Sequence, residues 1–298
     1  MGWRRGSSRN FKTVIVNILL LTDYSELSAN IRSLTDNLAF KCGAKLFVLN
    51  IIQTPSELNV LDHENVDMKC ASDPQLFVDR RNESLEKMKS FTSGLKSEFE
   101  TFVYYGGILD TIEEFIVEKK IDMLAMGTNY KKGIKNIFSK SLIEYIIRDV
   151  NISVLSLKTK LDDPMLHNLI IGGHFTTKKT YDLKMIKAMQ KAFGAELHLV
   201  CLDTAGLSEE QVQNDTKAFI QENELEVSTI TVGKGSDYEM LMGEFVEAFE
   251  AKTKLPVEML CLERKQRSDV AKFFSKGKAA KFVNRVHKPI LTYISKPK

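Results

Sequence analysis

The chain has 298 residues, of which 43% are hydrophobic and 27% charged, a size and balance that suit about two soluble globular domains. Its 42 basic and 39 acidic residues leave a net charge of +3, too small to require nucleic acid or an anionic membrane as partner. Cys42, Cys70, Cys201 and Cys261 stand far apart with no C-x-x-C pair, which points to reduced thiols in a cytoplasmic protein rather than to disulfides or zinc.

Residues 1–12, MGWRRGSSRNFK, are basic with no long apolar segment behind them and read as a disordered leader. The run TVIVNILLL (13–21) is about half of what a membrane span needs. It reads instead as a first buried strand, VIVNILLL (14–21), rich in branched residues with little alternation, as strands covered on both faces are. A helix is predicted over 25–43, with Leu27, Ile31, Leu34, Leu38 and Phe40 at helical spacing. Ser25 is placed to cap its start and Gly43 to stop it. KLFVLNII (45–52) is the second strand. The polar stretch 53–76, with two prolines, reads as a loop or lid before the next helix. FETFVYY (99–105), IDMLAM (121–126) and ISVLSL (152–157) complete a first set of five strands, with the amphipathic EEFIVEKK (113–120) between two of them.

After the charged join KTKLDDPMLH (158–167), five more strands follow: HNLIIGG (167–173), ELHLVCL (196–202), EVSTITV (226–232), VEMLCL (257–262) and PILTYI (289–294). A helical pattern runs from Thr177 to Ala195, with its stop at Gly194. Strands alternating with helices imply parallel sheets with crossover helices. The two sets align with each other. NILLLTDYS (17–25) lies on NLIIGGHFT (168–176) and KCGAKLFVLNI (41–51) on AFGAELHLVCL (192–202), both at an offset of 151. MLAMGTNYKKGIKNIFSKS (123–141) lies on MLCLERKQRSDVAKFFSKG (259–277) at an offset of 136. The chain therefore reads as a tandem duplication, with about 15 extra residues of the first half falling within 53–76.

Chemistry-bearing motifs are scarce. G-x-x-x-x-G-K-[ST], G-x-S-x-G and H-E-x-x-H are all absent. KFFSKGKAAKF (272–282) interleaves lysine with aromatics, a pattern simpler as helix core than as a single-strand nucleic-acid surface.

TDYSELS (22–28) after the first strand, DMLAMGTNYKKG (122–133) and SLIEYIIRDVNISVLSL (141–157) together resemble the universal stress proteins in their tandem two-domain form. NRVHKPILTYI (284–294) fits the end of the second copy, and the resemblance spans the chain from residue 13. It implies two Rossmann-like, flavodoxin-like α/β domains, each with a five-stranded parallel sheet, at 13–158 and 166–298. It also implies that ISVLSL and PILTYI pair antiparallel, making an intramolecular pseudo-dimer that could form a further homodimer. In nucleotide-binding members an aspartate after the first strand contacts adenine and an apolar residue of the second packs on the ring. A G-x2-G-x9-G-[ST] loop after the fourth holds ribose and phosphates.

Carried over to this chain, the resemblance places Asp23 at the adenine and Ile51 against its ring. Gly127, after Met126, is the first glycine, and Ser141 the terminal hydroxyl, while Tyr130 and Lys140 replace the second and third glycines. In the second half the aspartate position is His174, and the loop positions are Glu263, Gln266, Lys276 and Gly277. A glutamate at the first of these opposes phosphate. The resemblance implies a non-catalytic stress-response or signalling protein with an altered ATP or AMP pocket in the first half and none in the second. The competing readings are a pseudo-dimer that binds only protein partners, and a slow ATP hydrolase.

Overall fold

A computed structural model describes residues 16–55, 60–65, 67, 73–128, 143, 145–147, 150–159, 161, 165–203, 207–234, 238–264 and 288–298. The first half contributes β1 (Asn17–Leu21), α1 (Glu26–Cys42), β2 (Lys45–Gln53), α2 (Pro74–Thr92), β3 (Phe99–Gly106), α3 (Ile108–Glu118), β4 (Met123–Gly127) and β5 (Ser153–Leu157). The second contributes β6 (Asn168–Gly173), β7 (Lys179–Tyr181), α4 (Lys184–Phe193), β8 (Glu196–Asp203), α5 (Glu209–Glu222), β9 (Val227–Lys234), α6 (Tyr238–Thr253), β10 (Met259–Arg264) and β11 (Ile290–Pro297).

All ten expected strands are present and join one sheet in the order β3-β2-β1-β4-β5-β11-β10-β6-β8-β9. Neighbours along that path are parallel except at the centre, where β5 and β11 run antiparallel with Ile290 opposite Ser156 and Thr292 opposite Val154. Read outward from that seam, each half repeats the order fifth, fourth, first, second, third strand. The seam covers what would otherwise be two open edges. Helices α1, α2, α4 and α5 bury one face of the sheet. Helices α3 and α6, with Ile143, Ile146 and Ile147, bury the other. Helix α1 also packs against α4 across the halves.

Local signals explain the element ends. Ser25 accepts from the Ser28 N–H as N-cap of α1, and Gly43 ends the helix at φ 64°, a conformation in which a Cβ is costly. Phe40 departs from the expected core: it is 54% exposed, on the outer side of the last turn. The expected helix over 177–195 is shorter than its pattern. Helix α4 begins at Lys184, and the residues before it form β7, which pairs antiparallel with the tail of β11 through Ser295, Lys296 and Pro297. The offset between halves is also less simple than it looked. It is 128 from Phe99 to Val227, against 151 before and 136 after. The first half is longer ahead of its third strand, and the second half recovers part of the difference in its longer α6.

Candidate functional site

In open parallel sheets ligands bind beyond the carboxyl ends of the strands, where the strand order reverses. In the first half that point lies between β1 and β4. Asp23 follows β1 directly, and its carboxylate is turned onto the start of α1. Its Oδ1 accepts the Ser25 N–H at 3.0 Å and the Ser28 hydroxyl at 2.7 Å. The negative charge thus sits at a helix N-terminus, where free N–H groups and the dipole favour it. Tyr24 makes the turn at φ 60°, and its hydroxyl donates to the Ser84 carbonyl of α2 at 2.9 Å. The Ser84 hydroxyl in turn donates to Asn50 Oδ1 at 2.8 Å, and Asn50 Nδ2 donates to the Thr22 carbonyl at 2.8 Å. Burial pushes the Tyr24 phenol up to about 12, so it remains a donor at neutral pH.

This polar chain is the floor of a groove of about 860 Å³ between the ends of β1 and β2 and helix α2. Asp23, Tyr24 and Ile51 at the strand ends and Phe77, Arg80 and Lys87 of α2 are among its lining residues. The groove therefore brings together two of the expected site residues, Asp23 and Ile51. Ile51 packs with Leu49 and Tyr104 on the α3 face of the sheet. Residues 53–55 and Asp73, at the two ends of the expected 53–76 loop, form part of the rim. Within that loop His63 stacks on Tyr104 at 5.1 Å and its carbonyl accepts the Tyr105 N–H at 2.5 Å, which ties the segment to the outer edge of β3.

Met126 and Gly127 do not line the groove. Met126 is fully buried, and a Cβ on Gly127 would stand 2.5 Å from the carbonyl carbon of Leu27. The glycine is needed because the first turn of α1 crosses β4 closely; its φ is not positive. Close approach, rather than left-handed backbone, is the reason for this glycine. Thr128, next in the chain, is buried; its N–H donates to the Leu157 carbonyl at 2.8 Å, and its hydroxyl has no partner among the described residues. Tyr130, Lys140 and Ser141, and the lysines at 131, 132 and 135, lie outside the described residues. Sequence reasoning missed the α2 wall and Asn50, although an asparagine inside the apolar run KLFVLNII was an available signal.

The second half is built differently at the equivalent point, between β6 and β10. Glu263 is the next-to-last residue of β10, with its side chain 1% exposed. Its Oε2 accepts the His174 N–H at 2.7 Å, and its Oε1 accepts from Lys179 Nζ at 2.6 Å and from the Ser295 hydroxyl at 2.6 Å. Arg264 turns the other way: its two terminal nitrogens donate to the carbonyls of Ile147 and Ile152 in the first half, each at 2.8 Å. Gln266, Lys276 and Gly277 lie outside the described residues.

Among the described residues no group of three or more His, Cys, Asp or Glu is placed to hold a metal ion, and no helix is long and apolar enough to cross a membrane. Cys42, Cys201 and Cys261 are free thiols, and burial raises all three, Cys42 and Cys201 to about 11. That favours the protonated thiol at neutral pH. Cys70 lies outside the described residues.

Comparison with known proteins matches residues 16–158 to the model of the universal stress protein family. A universal stress protein of Methanocaldococcus jannaschii is 23% identical over 150 residues, covering 50% of this chain and 86% of that protein. The crystal structure of a universal stress protein from Archaeoglobus fulgidus superposes with a TM-score of 0.65 at 15% identity, covering 93% of this chain and 97% of that one. The cytoplasmic domain of a prokaryotic cation chloride cotransporter superposes with a TM-score of 0.52 at 11% identity, covering 94% and 95%. At such identities these two structures speak for the fold alone.

Proposed function

We propose that this chain, whose residues 16–158 match the universal stress protein family, is a non-catalytic, cytoplasmic stress-response protein. In this reading residues 13–158 and 166–298 are two tandem domains. The first keeps an altered adenine-nucleotide pocket for ATP or AMP, and the second has none. The mirrored strand order about the β5–β11 seam supports that division.

The carrying observation is that Asp23 and Ile51, the two described positions that the resemblance assigns to the adenine, border one groove at the strand ends. The groove also explains why the affinity would be weak. Asp23 Oδ1 is already engaged by two donors of its own turn, so a ligand gains less from it than from a carboxylate without such partners. Arg80 and Lys87 of α2 supply positive charge for an anionic ligand. Tyr130 and Lys140 would stand in place of glycine backbone near the phosphates.

Calorimetric titration of ATP and AMP into the wild type and Asp23→Ala tests this reading. Saturable heat that disappears in a folded Asp23→Ala protein is the expected outcome. Absence of heat at millimolar nucleotide would overturn it in favour of a protein that acts only through partners. Phosphate release above background would overturn the non-catalytic part.

A further inference from the structure

The Glu263 carboxylate collects a main-chain N–H, an ammonium and a hydroxyl from three separate segments, the end of β6, β7 and the tail of β11. These donors converge at the switch point of the second half, the place where an open parallel sheet receives its ligand. We propose that this point is an oxyanion seat and that Glu263 fills it from within, as a permanent ligand. The class of ligand it would take without that side chain is a small oxyanion, a carboxylate or inorganic phosphate. The inference concerns the second half alone and stands whether or not the first half takes a nucleotide.

Three further observations carry it. A buried carboxylate is tolerated only where its charge is paired and its oxygens are hydrogen-bonded, and Glu263 has both. The fold also makes room for it. A Cβ on Gly173 would come within 2.6 Å of the Tyr293 hydroxyl and 3.2 Å of Glu263 Oε2, so a bare backbone at the end of β6 lets the carboxylate approach the His174 N–H. Finally, the neutralising cation comes from a strap that the first half lacks. There, residues 22–25 lead directly from β1 into α1, whereas residues 174–183 separate β6 from α4 and include β7, which carries Lys179. Tyr181 pins that strap: its hydroxyl donates to the His174 carbonyl at 3.0 Å and accepts the Thr176 N–H at 2.9 Å. At the position of Glu263 the first half has Gly127, which brings no side chain. An acidic residue and a lysine-bearing strap thus occur together in one half and are both missing from the other.

The test is chemical rescue in the full chain. Thermal unfolding of wild type, Glu263→Ala and Glu263→Gln is measured in sodium acetate, inorganic phosphate and chloride at matched ionic strength. Glu263→Ala should melt below wild type in chloride and recover by roughly 5 °C in saturating acetate or phosphate. Wild type and Glu263→Gln, in which the seat stays filled, should show no response beyond chloride. Rescue by acetate alone indicates a carboxylate-sized seat and rescue by both a wider one; either supports the proposal. Adding Lys179→Met to Glu263→Ala should abolish the rescue. A folded Glu263→Ala that ignores both anions, an equal response in Glu263→Gln, or rescue that survives Lys179→Met overturns it. Should Glu263→Ala not fold in chloride, it and Glu263→Ser are refolded in each anion. Recovery in acetate or phosphate supports the proposal, and failure of both variants in both anions overturns it.

Discussion

Replacing Arg264 by methionine keeps most of the buried stem but removes two donors from the seam between the halves. Arg264 is buried, and it donates hydrogen bonds at 2.8 Å to the carbonyls of Ile147 and Ile152, more than a hundred residues earlier in the chain. A hydrogen bond from a charged group contributes about 1.5–3 kcal/mol. Water can reach the half-buried Ile152 more readily than the buried Ile147, which returns part of the loss at one carbonyl. The expected net cost is therefore about 2–4 kcal/mol. Urea unfolding followed by far-ultraviolet circular dichroism, compared between wild type and Arg264→Met, reads this difference. A loss below about 1 kcal/mol would show that both carbonyls are served equally well without the guanidinium, and the reasoning would fail.

Two other outcomes follow from the packing. Gly127→Ala forces a Cβ against the Leu27 carbonyl and should lower stability by about 1–3 kcal/mol as overpacking does; an unchanged melting temperature would contradict the close crossing of α1 over β4. His198 is buried with Nδ1 2.9 Å from Thr229 Oγ1 and Nε2 3.3 Å from Asn168 Oδ1, and burial lowers its affinity for a proton although Glu196 pulls the other way. The unfolded chain then binds a proton that the folded one refuses, so stability falls as pH drops below the ordinary imidazole value of about 6.5. Urea midpoints at pH 8 and pH 5.5 should diverge more in wild type than in His198→Gln; equal divergence would refute the assignment.

Much of the fold was legible because buried parallel strands are near-continuous apolar runs, and the chain displays ten of them. The caps at Ser25 and Gly43 were equally plain, since each residue type answers a local backbone need. What escaped the sequence depends on contacts far along the chain. Strand β7 has three residues, and its partner is the tail of β11, more than a hundred positions away. Its lysine, threonine and tyrosine sit inside a convincing helical frame, which local pattern alone could not overrule. Glu263 looked like a residue that merely repels phosphate. Its partners His174, Lys179 and Ser295 come from three segments, so its role as an internal anion was visible only once they were assembled. Asp23 and Ile51 were placed by resemblance and do meet at one groove. Gly127 was placed by the same resemblance, and the fold asks of it room for the backbone of α1.

In the proposed reading the two halves are unlike: the first takes a nucleotide in the groove beside Asp23, and the second takes none, its switch point being filled by the Glu263 carboxylate. Counting bound nucleotide per chain by equilibrium dialysis with labelled ATP tests it most directly. Wild type should saturate at one ATP per chain, and Asp23→Ala should bind none. Two per chain, or one that survives Asp23→Ala, would contradict it.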